Sequence, residues 1–492
     1  MVKQIPEVVL QINKKLKEAN YAVFLVGGCV RDMLLQKPVK DWDFATSATP
    51  EEILKIFPDG FYYNQFGTVG VPIKKNSSDS SPLLKGEGSE GEVLKQTKEE
   101  SEIVEITTFR TERGYKDRRH PEVVEWGKTI EEDLSRRDFT INSIAVKINN
   151  SFHPSPPEGE GQGEGDFELV DPYGGQEDSK QKLIRAVGDP SVRFKEDALR
   201  LMRAVRLATQ LGFTIEQNTL QEISNDASLL SEIAFERVRD ELMKILASEF
   251  PYEGIILLKN TSLLEYILPE LQKGIGVSQE RPGRHHTTDV FTHNVMSLKH
   301  CPSVDPIVRF ATLIHDIGKP EVQAKDEHGF VIFYNHEIVG AKIVAEICDR
   351  LRFSKKERQK VVTLVRWHMF TVDEHITDSA VRRFIRRVGV ENVKDMMDLR
   401  IGDRLGGGTQ TAESWRLKLF KKRVEEQLAP APFSINDLAI DGNDIMKELL
   451  IKPGPKIGKI LNTLFEEVDE DLSKNNKEYL LSRIKQLHEN RS

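Results

Sequence analysis

Apolar and polar residues follow two different rhythms along this 492-residue chain. Up to about residue 185, short apolar runs of strand character alternate with helical stretches. The first helical stretch, within residues 1–20, spaces Ile5, Val8, Val9, Ile12 and Leu16 at helical intervals. From residue 189 onward the spacing is almost wholly helical. The pattern predicts an α+β fold, with a mixed-sheet head followed by all-helical segments.

Breaks in this pattern divide the chain into four predicted regions. They are a head (1–185), a helical neck (186–280), a body (281–408) and a helical tail (409–492). The body begins at the Pro/Gly/His-rich run 281–286, and a triple glycine at 406–408 ends it. A Pro-Ala-Pro turn at 430–432 interrupts the tail.

Two acidic low-complexity segments carry the net charge. Residues 76–102 sum to −4 and residues 150–168 to −5, of a total of −8, so the other residues sum to about +1. Their Gly/Glu/Pro/Ser composition cannot form a packed core, and each interrupts a pair of strand-like runs. We interpret both as disordered insertions at hairpin tips.

The remaining positive charge is clustered, which is typical of a polyanion-binding surface. Solvated helix faces are the alternative. The clusters are Arg200, Arg203 and Arg206; Arg382, Arg383, Arg386 and Arg387; and Arg416, Lys418, Lys421, Lys422 and Arg423.

Several protein classes are excluded at this stage. No apolar run approaches the length of a membrane-spanning helix, and the N-terminus lacks the unbroken apolar centre of a signal peptide. The three cysteines are too few and too scattered for a disulfide framework. We expect a cytoplasmic protein with no membrane association.

The head begins with a strand, a glycine pair and a helix. Gly27 and Gly28 follow the apolar run 23–26 and would let the backbone approach a ligand closely. The next helix has an N-terminus suited to anions, with Arg31 in its first turn. A plain tight turn is the alternative interpretation.

Asp41 and Asp43 follow. On a strand they would point to the same face, where two carboxylates are costly unless a cation joins them. Mg²⁺ is usually held by one or two carboxylates and substrate phosphates. Glu105, in a later strand, is a third candidate, as a ligand or as the general base for an attacking hydroxyl. An outward-facing strand glutamate is the alternative.

Two further groups suggest nucleotide binding. Arg136 and Arg137 can pair with triphosphate oxygens, and Asp138 and Asn142 could bind a ribose hydroxyl. Asp197 and Arg200 lie three residues apart on a predicted helix and would share a face. An acceptor beside a donor matches the edges of cytosine and adenine and rejects those of uracil and guanine. A helix salt bridge is the alternative.

Taken in order, six head motifs resemble the class II tRNA nucleotidyltransferase and poly(A) polymerase family, over about residues 5–270. The motifs are GGCVRD, DWDFAT, TTFRTE, RRDFTIN, DPYGGQED and EDALRLMRAVRLA. The resemblance implies a polymerase-β-like head and helical segments that grip tRNA. It implies these roles: Asp41 and Asp43 as Mg²⁺ ligands, Arg137 and Asp138 as ribose or triphosphate contacts, and Asp197 and Arg200 as the template for the base. Arg110, Arg203 and Arg206 complete the nucleotide-binding candidates.

The implied activity is addition of CCA to the tRNA 3′ end from CTP and ATP. Residues 111–121 resemble the flexible loop with which the family switches from C to A, and no GRRF-like run follows Gly67, which favours CCA addition over poly(A) synthesis. A poly(A) polymerase or an A-adding enzyme stays open as the alternative.

A second group of metal-ligand residues lies in the helical region. Imidazole and carboxylate together suit Mn, Fe, Ni, Co or Zn. Residues 285–408 resemble the HD phosphohydrolase superfamily, which hydrolyses phosphomonoesters or 2′,3′-cyclic phosphodiesters. The resemblance implies the ligands His293, His315, Asp316 and Asp403, with His336 and His368 available for a second ion or phosphate.

Four other interpretations stay open or are weighed against this one. A degenerate HD fold could serve only as a tRNA-binding body, or an HD phosphohydrolase could carry an inactive head. A protein-modifying uridylyltransferase would need regulatory domains for which residues beyond 410 leave no room. A non-enzymatic RNA-binding protein would need neither metal site. We expect no obligate protein partner.

Overall fold

The computed structural model describes residues 5–64, 67–73, 102–115, 121–149, 167–280, 288–428 and 435–489. The chain forms two compact units, Met1–Ile267 and Leu268–Ser492. Nearly all of the two predicted insertions, and the segments 281–286 and 430–432, lie outside the described residues. The division into four regions stays a prediction.

Unit 1 is a mixed α and β structure, as the apolar pattern predicts. Its helices are α1 (Glu7–Glu18), α2 (Gly28–Leu34), α3 (Pro50–Ile56), α4 (Ile130–Ser135), α5 (Gly175–Gln181), α6 (Pro190–Glu196), α7 (Leu199–Leu211), α8 (Gln217–Asn225), α9 (Phe235–Leu246), α10 (Pro251–Asn260) and α11 (Leu263–Ile267). Its strands are β1 (Val23–Val26), β2 (Asp43–Thr46), β3 (Phe61–Asn64), β4 (Thr68–Ile73), β5 (Glu102–Thr108), β6 (Arg110–Tyr115), β7 (Pro121–Trp126), β8 (Ala145–Ile148), β9 (Phe167–Val170), β10 (Leu183–Ile184) and β11 (Thr214–Ile215).

A seven-stranded sheet organises the head, in the order β3-β4-β5-β2-β1-β8-β9. The pair β2 and β5 is parallel, and the other neighbours in this sheet are antiparallel. On one face α1 buries Val9, Ile12 and Leu16, which confirms the predicted amphipathic helix. On the other face Phe109 and Leu134 belong to a smaller core. The sheet therefore holds β1, β2 and β5 side by side at its centre.

The segment that resembles a flexible loop is partly strand. Strands β6 and β7 pair in an antiparallel ribbon, with Arg110 opposite Trp126 and Tyr115 opposite Pro121. Residues 116–120 between them lie outside the described part of the chain. Most of the predicted loop thus belongs to two paired strands.

Unit 2 is helical. Its helices are α12 (Pro269–Gln272), α13 (Val290–His300), α14 (Pro306–Leu313), α15 (Lys319–Val322), α16 (His336–Arg350), α17 (Lys355–Trp367), α18 (Asp378–Val388), α19 (Val393–Gly406), α20 (Trp415–Leu428), α21 (Gly442–Leu449), α22 (Pro455–Glu470) and α23 (Lys477–Glu489). Two short strands, β12 (Ala324–Lys325) and β13 (Val331–Ile332), form a hairpin. Helix α13 packs along α19, and α16 along α17, so residues distant in sequence converge.

The tail has a core of its own, between α21, α22 and α23. Two arginines of the second basic cluster connect α18 to this tail. Arg382 Nε donates to Asp469 Oδ1 at 2.8 Å, and Arg386 Nη2 donates to Oδ2 at 2.7 Å. Asp469 is buried, so these two arginines are structural rather than free for a polyanion.

The sequence also predicts that the chain has no membrane-spanning helix and no disulfide framework. Among the described residues, none of the helices has the length and apolar character needed to cross a membrane. All three cysteines are buried free thiols.

Candidate active site and candidate metal centre

The glycine turn of the head brings backbone, a carboxylate and a guanidinium together. Gly27 has φ +75°, and a Cβ there would lie 2.8 Å from Arg137 Nη1 and 3.6 Å from Asp43 Oδ2. Only glycine accepts both the backbone conformation and this close approach. Glycine is therefore required at position 27 by its close contact with Arg137 as well as by the conformation of the turn.

Two of the three head carboxylates, Asp43 and Glu105, lie on adjacent strands at the centre of the sheet. Asp43 is the first residue of β2 and pairs in register with Glu105 on β5. Burial, and then the charges of Asp43 and Asp41, raise the pKa of Glu105. Burial also raises the pKa of Asp43, with Arg137 opposing and Asp41 adding to the effect. A neighbouring carboxylate thus contributes to the raised pKa of each of these two acids, a repulsion that a divalent cation would relieve.

The position of Asp41 corrects one expectation. Asp41 is exposed and lies before β2, which begins at Asp43, so the two acids do not occupy alternate positions of one strand. Nor do the three head carboxylates form one of the compact sets of ligand atoms found among the described residues. An ion held here would need additional oxygen ligands, such as substrate phosphates.

The two arginines after α4 are held by a buried acid that sequence reasoning missed. Asp133 Oδ1 accepts from Arg136 Nη2 at 2.6 Å, and Oδ2 accepts from Arg137 Nη2 at 3.1 Å. Burial alone would raise the pKa of Asp133, but the two guanidinium groups hold it below its ordinary value. The spacing of i to i+3 and i+4 was the available signal.

Asn142 connects the glycine helix to a buried ion pair. Its side-chain oxygen accepts from Arg31 Nη1 at 2.8 Å, and its Nδ2 donates to Asp138 Oδ1 at 3.1 Å. Asp138 Oδ2 accepts from Arg203 Nε at 2.8 Å. Burial opposes ionisation of Asp138, but Arg203 and Asn142 hold its pKa well below the ordinary value. Asp138 thus positions an arginine of α7.

The predicted base-reading pair does not lie on one helix, and that expectation is wrong. Asp197 ends α6 in an extended conformation, and Arg200 belongs to α7. Asp197 Oδ1 instead accepts from the backbone N–H of Leu199 at 3.0 Å. A helix break therefore fixes the position of the acid.

Both members of this pair already have partners. Asp197 Oδ2 accepts from Arg237 Nη2 at 2.8 Å, and Arg200 Nη1 donates to Glu196 Oε2 at 2.6 Å. Sequence reasoning missed Arg237, which lies 40 residues away on α9. Arg206 similarly pairs with the buried Glu241 at 3.0 Å.

These groups line one cavity of about 450 Å³ in unit 1. Its walls are Gly27, Gly28, Arg31, Asp43, Arg136, Arg137, Asp138, Asn142, Asp197, Leu199, Arg200, Arg203, Arg206 and Arg237. Asp41, Glu105 and Arg110 are not among the lining residues. Seven arginines and three aspartates, Asp43, Asp138 and Asp197, line the cavity, an arrangement suited to a polyphosphate and a metal ion.

Unit 2 brings all six predicted HD residues into one buried cluster. Asp316 divides it into two halves. Its Oδ2 lies 3.3 Å from His293 Nε2 and 3.4 Å from His315 Nε2, and Asp403 Oδ1 lies 3.3 Å from the same atom of His293. The other oxygen of Asp316, Oδ1, lies 3.1 Å from His336 Nε2 and 3.6 Å from His368 Nε2.

Backbone carbonyls orient the imidazoles of this cluster. The Nδ1 atoms of His315, His336 and His368 lie 2.8, 2.8 and 2.7 Å from the carbonyl oxygens of residues 312, 333 and 365. A proton on each Nδ1 leaves Nε2 as the ligand atom, as in protein metal sites. His315 and Asp316 lie in a turn directly after α14, which ends at Leu313.

The donor set fits divalent transition metals. Two groups, His293 with His315 and Asp403, and His315 with Asp316 and His368, each have ligand atoms within 4.8 Å of one another. Burial would raise the pKa of Asp316, but Lys319 and the neighbouring imidazoles hold it well below its ordinary value. Lys319, which sequence reasoning left without a role, pairs with Asp316 and donates to Gln279 Oε1 at 2.6 Å. Asp316 is thus kept ionised, as a bridging ligand would have to be.

Three family models match parts of this chain. Residues 23–185 match the family model of the poly A polymerase head domain, residues 212–275 that of the RNA and SrmB-binding site of polymerase A, and residues 324–484 that of tRNA nucleotidyltransferase domain 2. The chain is 30% identical to the CCA-adding enzyme of Pediococcus pentosaceus over 96% of both chains. It is 36% identical to the A-adding tRNA nucleotidyltransferase of Deinococcus radiodurans, over 68% of this chain and 75% of that one.

The fold has a solved counterpart. The CCA-adding enzyme of Bacillus stearothermophilus in complex with CTP superposes with a TM-score of 0.68 at 24% identity, covering 98% of this chain and 97% of that one. The chain belongs to the family of tRNA nucleotidyltransferases and poly(A) polymerases. Enzymes of this family generally use divalent metal ions such as Mg²⁺.

Proposed function

We propose that this chain adds C and A nucleotides to the tRNA 3′ end from CTP and ATP, without a nucleic-acid template. The observation that best supports this proposal is the head cavity, which is lined by Asp43, by Asp197 and by several arginines. The end-to-end similarity to a CCA-adding enzyme supports the choice of tRNA.

In the proposed reaction, the RNA 3′-hydroxyl attacks the α-phosphorus of the nucleotide, and the bond to pyrophosphate breaks. Asp41 and Asp43 would hold a divalent ion, which neutralises phosphate charge when bound. Glu105 has a raised pKa and is suited to accept the hydroxyl proton. Arg31 and Arg137 would orient the triphosphate and compensate its charge.

Selection of the nucleotide would exchange internal partners for the base. Asp197 accepts from Arg237, Arg200 donates to Glu196, and both Asp197 and Arg200 line the cavity. A cytosine or adenine edge would take the place of these partners. A uracil or guanine edge presents the opposite order and leaves both groups unpaired.

The test is a sized-product assay on tRNA lacking its last three nucleotides. With CTP alone we expect two added residues, and with both nucleotides three. Addition of A alone to a tRNA that already ends in CC, with no use of CTP, would favour an A-adding enzyme, the activity of the Deinococcus relative. Extended A runs would favour a poly(A) polymerase.

A second function is supported by the cluster of unit 2. We propose that it binds a divalent transition metal and hydrolyses a phosphomonoester or a 2′,3′-cyclic phosphodiester at an RNA end. Four imidazoles and two carboxylates would hold the ion, which supplies an activated water when bound. Lys319, beside Asp316, is placed to compensate phosphate charge.

Hydrolysis of 2′,3′-cyclic AMP by protein loaded in turn with Mn²⁺, Co²⁺, Ni²⁺ or Zn²⁺ tests this second function. A metal-dependent product that disappears in His315→Ala supports it. Stoichiometric metal binding without hydrolysis of any phosphoester would instead indicate a structural metal in a tRNA-binding body.

A further inference from the structure

A separate cavity lies in unit 2, between the end of α17, helix α18 and helix α20. It has a volume of about 390 Å³. Its apolar wall contains Phe370, Phe384 and Phe420, whose ring centroids lie 4.7 to 5.3 Å apart. Phe384 and Phe420 are buried, at 8% and 1% exposure, whereas Phe370 is partly exposed and offers its ring to the cavity.

The rim of this cavity is aromatic and cationic. Trp367 has the guanidinium of Arg366 at 4.2 Å and that of Arg387 at 4.7 Å from its ring centroid. Arg387 is exposed and, within the part of the chain that the structure describes, forms no ion pair with a carboxylate. Met369 on the same rim is 60% exposed. Stacking surfaces beside guanidinium groups are what single-stranded nucleic acid requires.

Three links connect the cavity to the histidine–aspartate cluster. Trp367 and Glu337, both lining residues, are the immediate chain neighbours of the cluster residues His368 and His336. Phe370 lies under Arg400, 5.5 Å from guanidinium to ring centroid, and Arg400 pairs with Asp403 at 3.0 Å.

We propose that this cavity binds the base of a nucleotide whose phosphate lies at the histidine–aspartate cluster. The inference deepens the proposed phosphohydrolase function, on which it rests, and names its substrate class: a nucleotide with an unpaired base, either free or at the 3′ end of RNA. Trp367 and Phe370 stack the base with the Arg387 guanidinium beside it, and Arg366 and Arg383 compensate the phosphate backbone of an RNA 3′ end. A substrate without a base would use only the cluster.

Kinetics separate the cavity from the cluster. In the full chain, Arg387→Ala and Trp367→Ala are expected to raise KM for 2′,3′-cyclic AMP about tenfold with little change in kcat. Neither should change the rate with glycerol 1,2-cyclic phosphate, which has the same cyclic phosphodiester but no nucleobase and no aromatic ring. Trp415→Ala is the matched control, since Trp415 is also exposed beside an arginine but lies outside the cavity. Equal losses on both substrates would overturn the inference.

A second readout is independent of hydrolysis. Photocrosslinking with 8-azido-AMP, followed by peptide mapping, should label residues 366–371 or 380–388, and Arg387→Ala, an exposed position that should fold normally, should lose that label. An RNA oligonucleotide ending in 8-azidoadenosine distinguishes an RNA end from a free nucleotide. Labelling confined to the head, or labelling of unit 2 unchanged by Arg387→Ala, would overturn the proposal. If no metal supports hydrolysis but the label maps to this cavity, the phosphohydrolase proposal fails while the binding site stands.

Discussion

The candidate metal-binding carboxylates of the head and those of the histidine–aspartate cluster have pKa values that are shifted in opposite directions. In the head, Asp43 and Glu105 face other acids, and burial and repulsion raise the pKa of both. In the cluster, Asp316 and Asp403 are surrounded by imidazoles, and the pKa of each lies well below its ordinary value although burial opposes this.

The difference indicates how each site would acquire a metal. The head supplies too few ligands for an ion on its own, and its arginines are engaged by Asp133, Asp138 and Glu196. An ion is therefore expected to arrive with the triphosphate, whose oxygens complete its coordination. The cluster supplies a full set of nitrogen and oxygen ligands and would retain an ion without substrate.

The strongest test of this contrast is Asp43→Asn. Removing the carboxylate should lower CMP and AMP incorporation by about 10³-fold, because a ligand and a neutralising charge are lost together. Folding should be preserved, since the substitution removes a buried charge among acids. Incorporation with labelled CTP and ATP measures the effect. Asp59→Asn, an exposed acid of the head, is the control, and retained incorporation in Asp43→Asn would contradict the proposed mechanism.

The reciprocal test is His315→Ala. It should weaken retention of a transition metal by at least about a hundredfold, because even outer-shell changes cost metal sites 10- to 100-fold. Incorporation by the head should be unchanged. Metal content after dialysis, measured by mass spectrometry, decides the point. Equal metal content in wild type and variant would show that the cluster does not bind the ion.

A third test addresses the engaged arginines. Asp133→Asn removes the buried partner of Arg136 and Arg137 and should destabilise the head by about 3 kcal/mol, since it leaves buried cationic charge uncompensated. Urea unfolding measures this free energy. Asp240→Asn breaks an exposed pair with Arg239 and should cost less than about 1 kcal/mol. Equal effects would mean that Asp133 is not the element that orders these arginines.

A smaller effect is expected at Arg237→Met. The substitution removes the partner of the Asp197 carboxylate. The preference for CTP and ATP over UTP and GTP should change by about tenfold, which corresponds to roughly the free energy of one hydrogen bond to a charged group. The measurement is single-nucleotide incorporation with each of the four triphosphates. An unchanged preference would argue that Asp197 does not read the base.

The smallest effect concerns pH. The pKa of Asp133 and of Asp138 is lower in the folded state than the ordinary value of about 3.9. Their contribution to stability is present above that value and is lost as the pH falls below it. Asp138→Asn should therefore flatten the decline in urea midpoint between about pH 5 and pH 3, and an unaltered slope would contradict this assignment.

Which features could be predicted from the sequence alone depends on whether they are encoded by residues that are close together in the chain. The α+β fold, the strand before Gly27 and the six cluster residues were predicted because apolar period and ligand-type side chains are local features. Arg237 and Glu241 were missed because their partners lie on other helices, and no local pattern indicates such long-range pairs. The break between Glu196 and Leu199 was missed because the run EDALRLMRAVRLA has uninterrupted helical character.

One detail of the central sheet has a practical consequence. Ile73, the last residue of β4, pairs with Glu102, the first residue of β5. Likewise Ile148, the last residue of β8, pairs with Phe167, the first residue of β9. A two-residue Asn-Gly connection could replace either excursion without shifting the strand register. The connections between these two pairs of residues can therefore be shortened, or can carry fluorophores or affinity tags, without disturbing the hydrogen bonds between the strands.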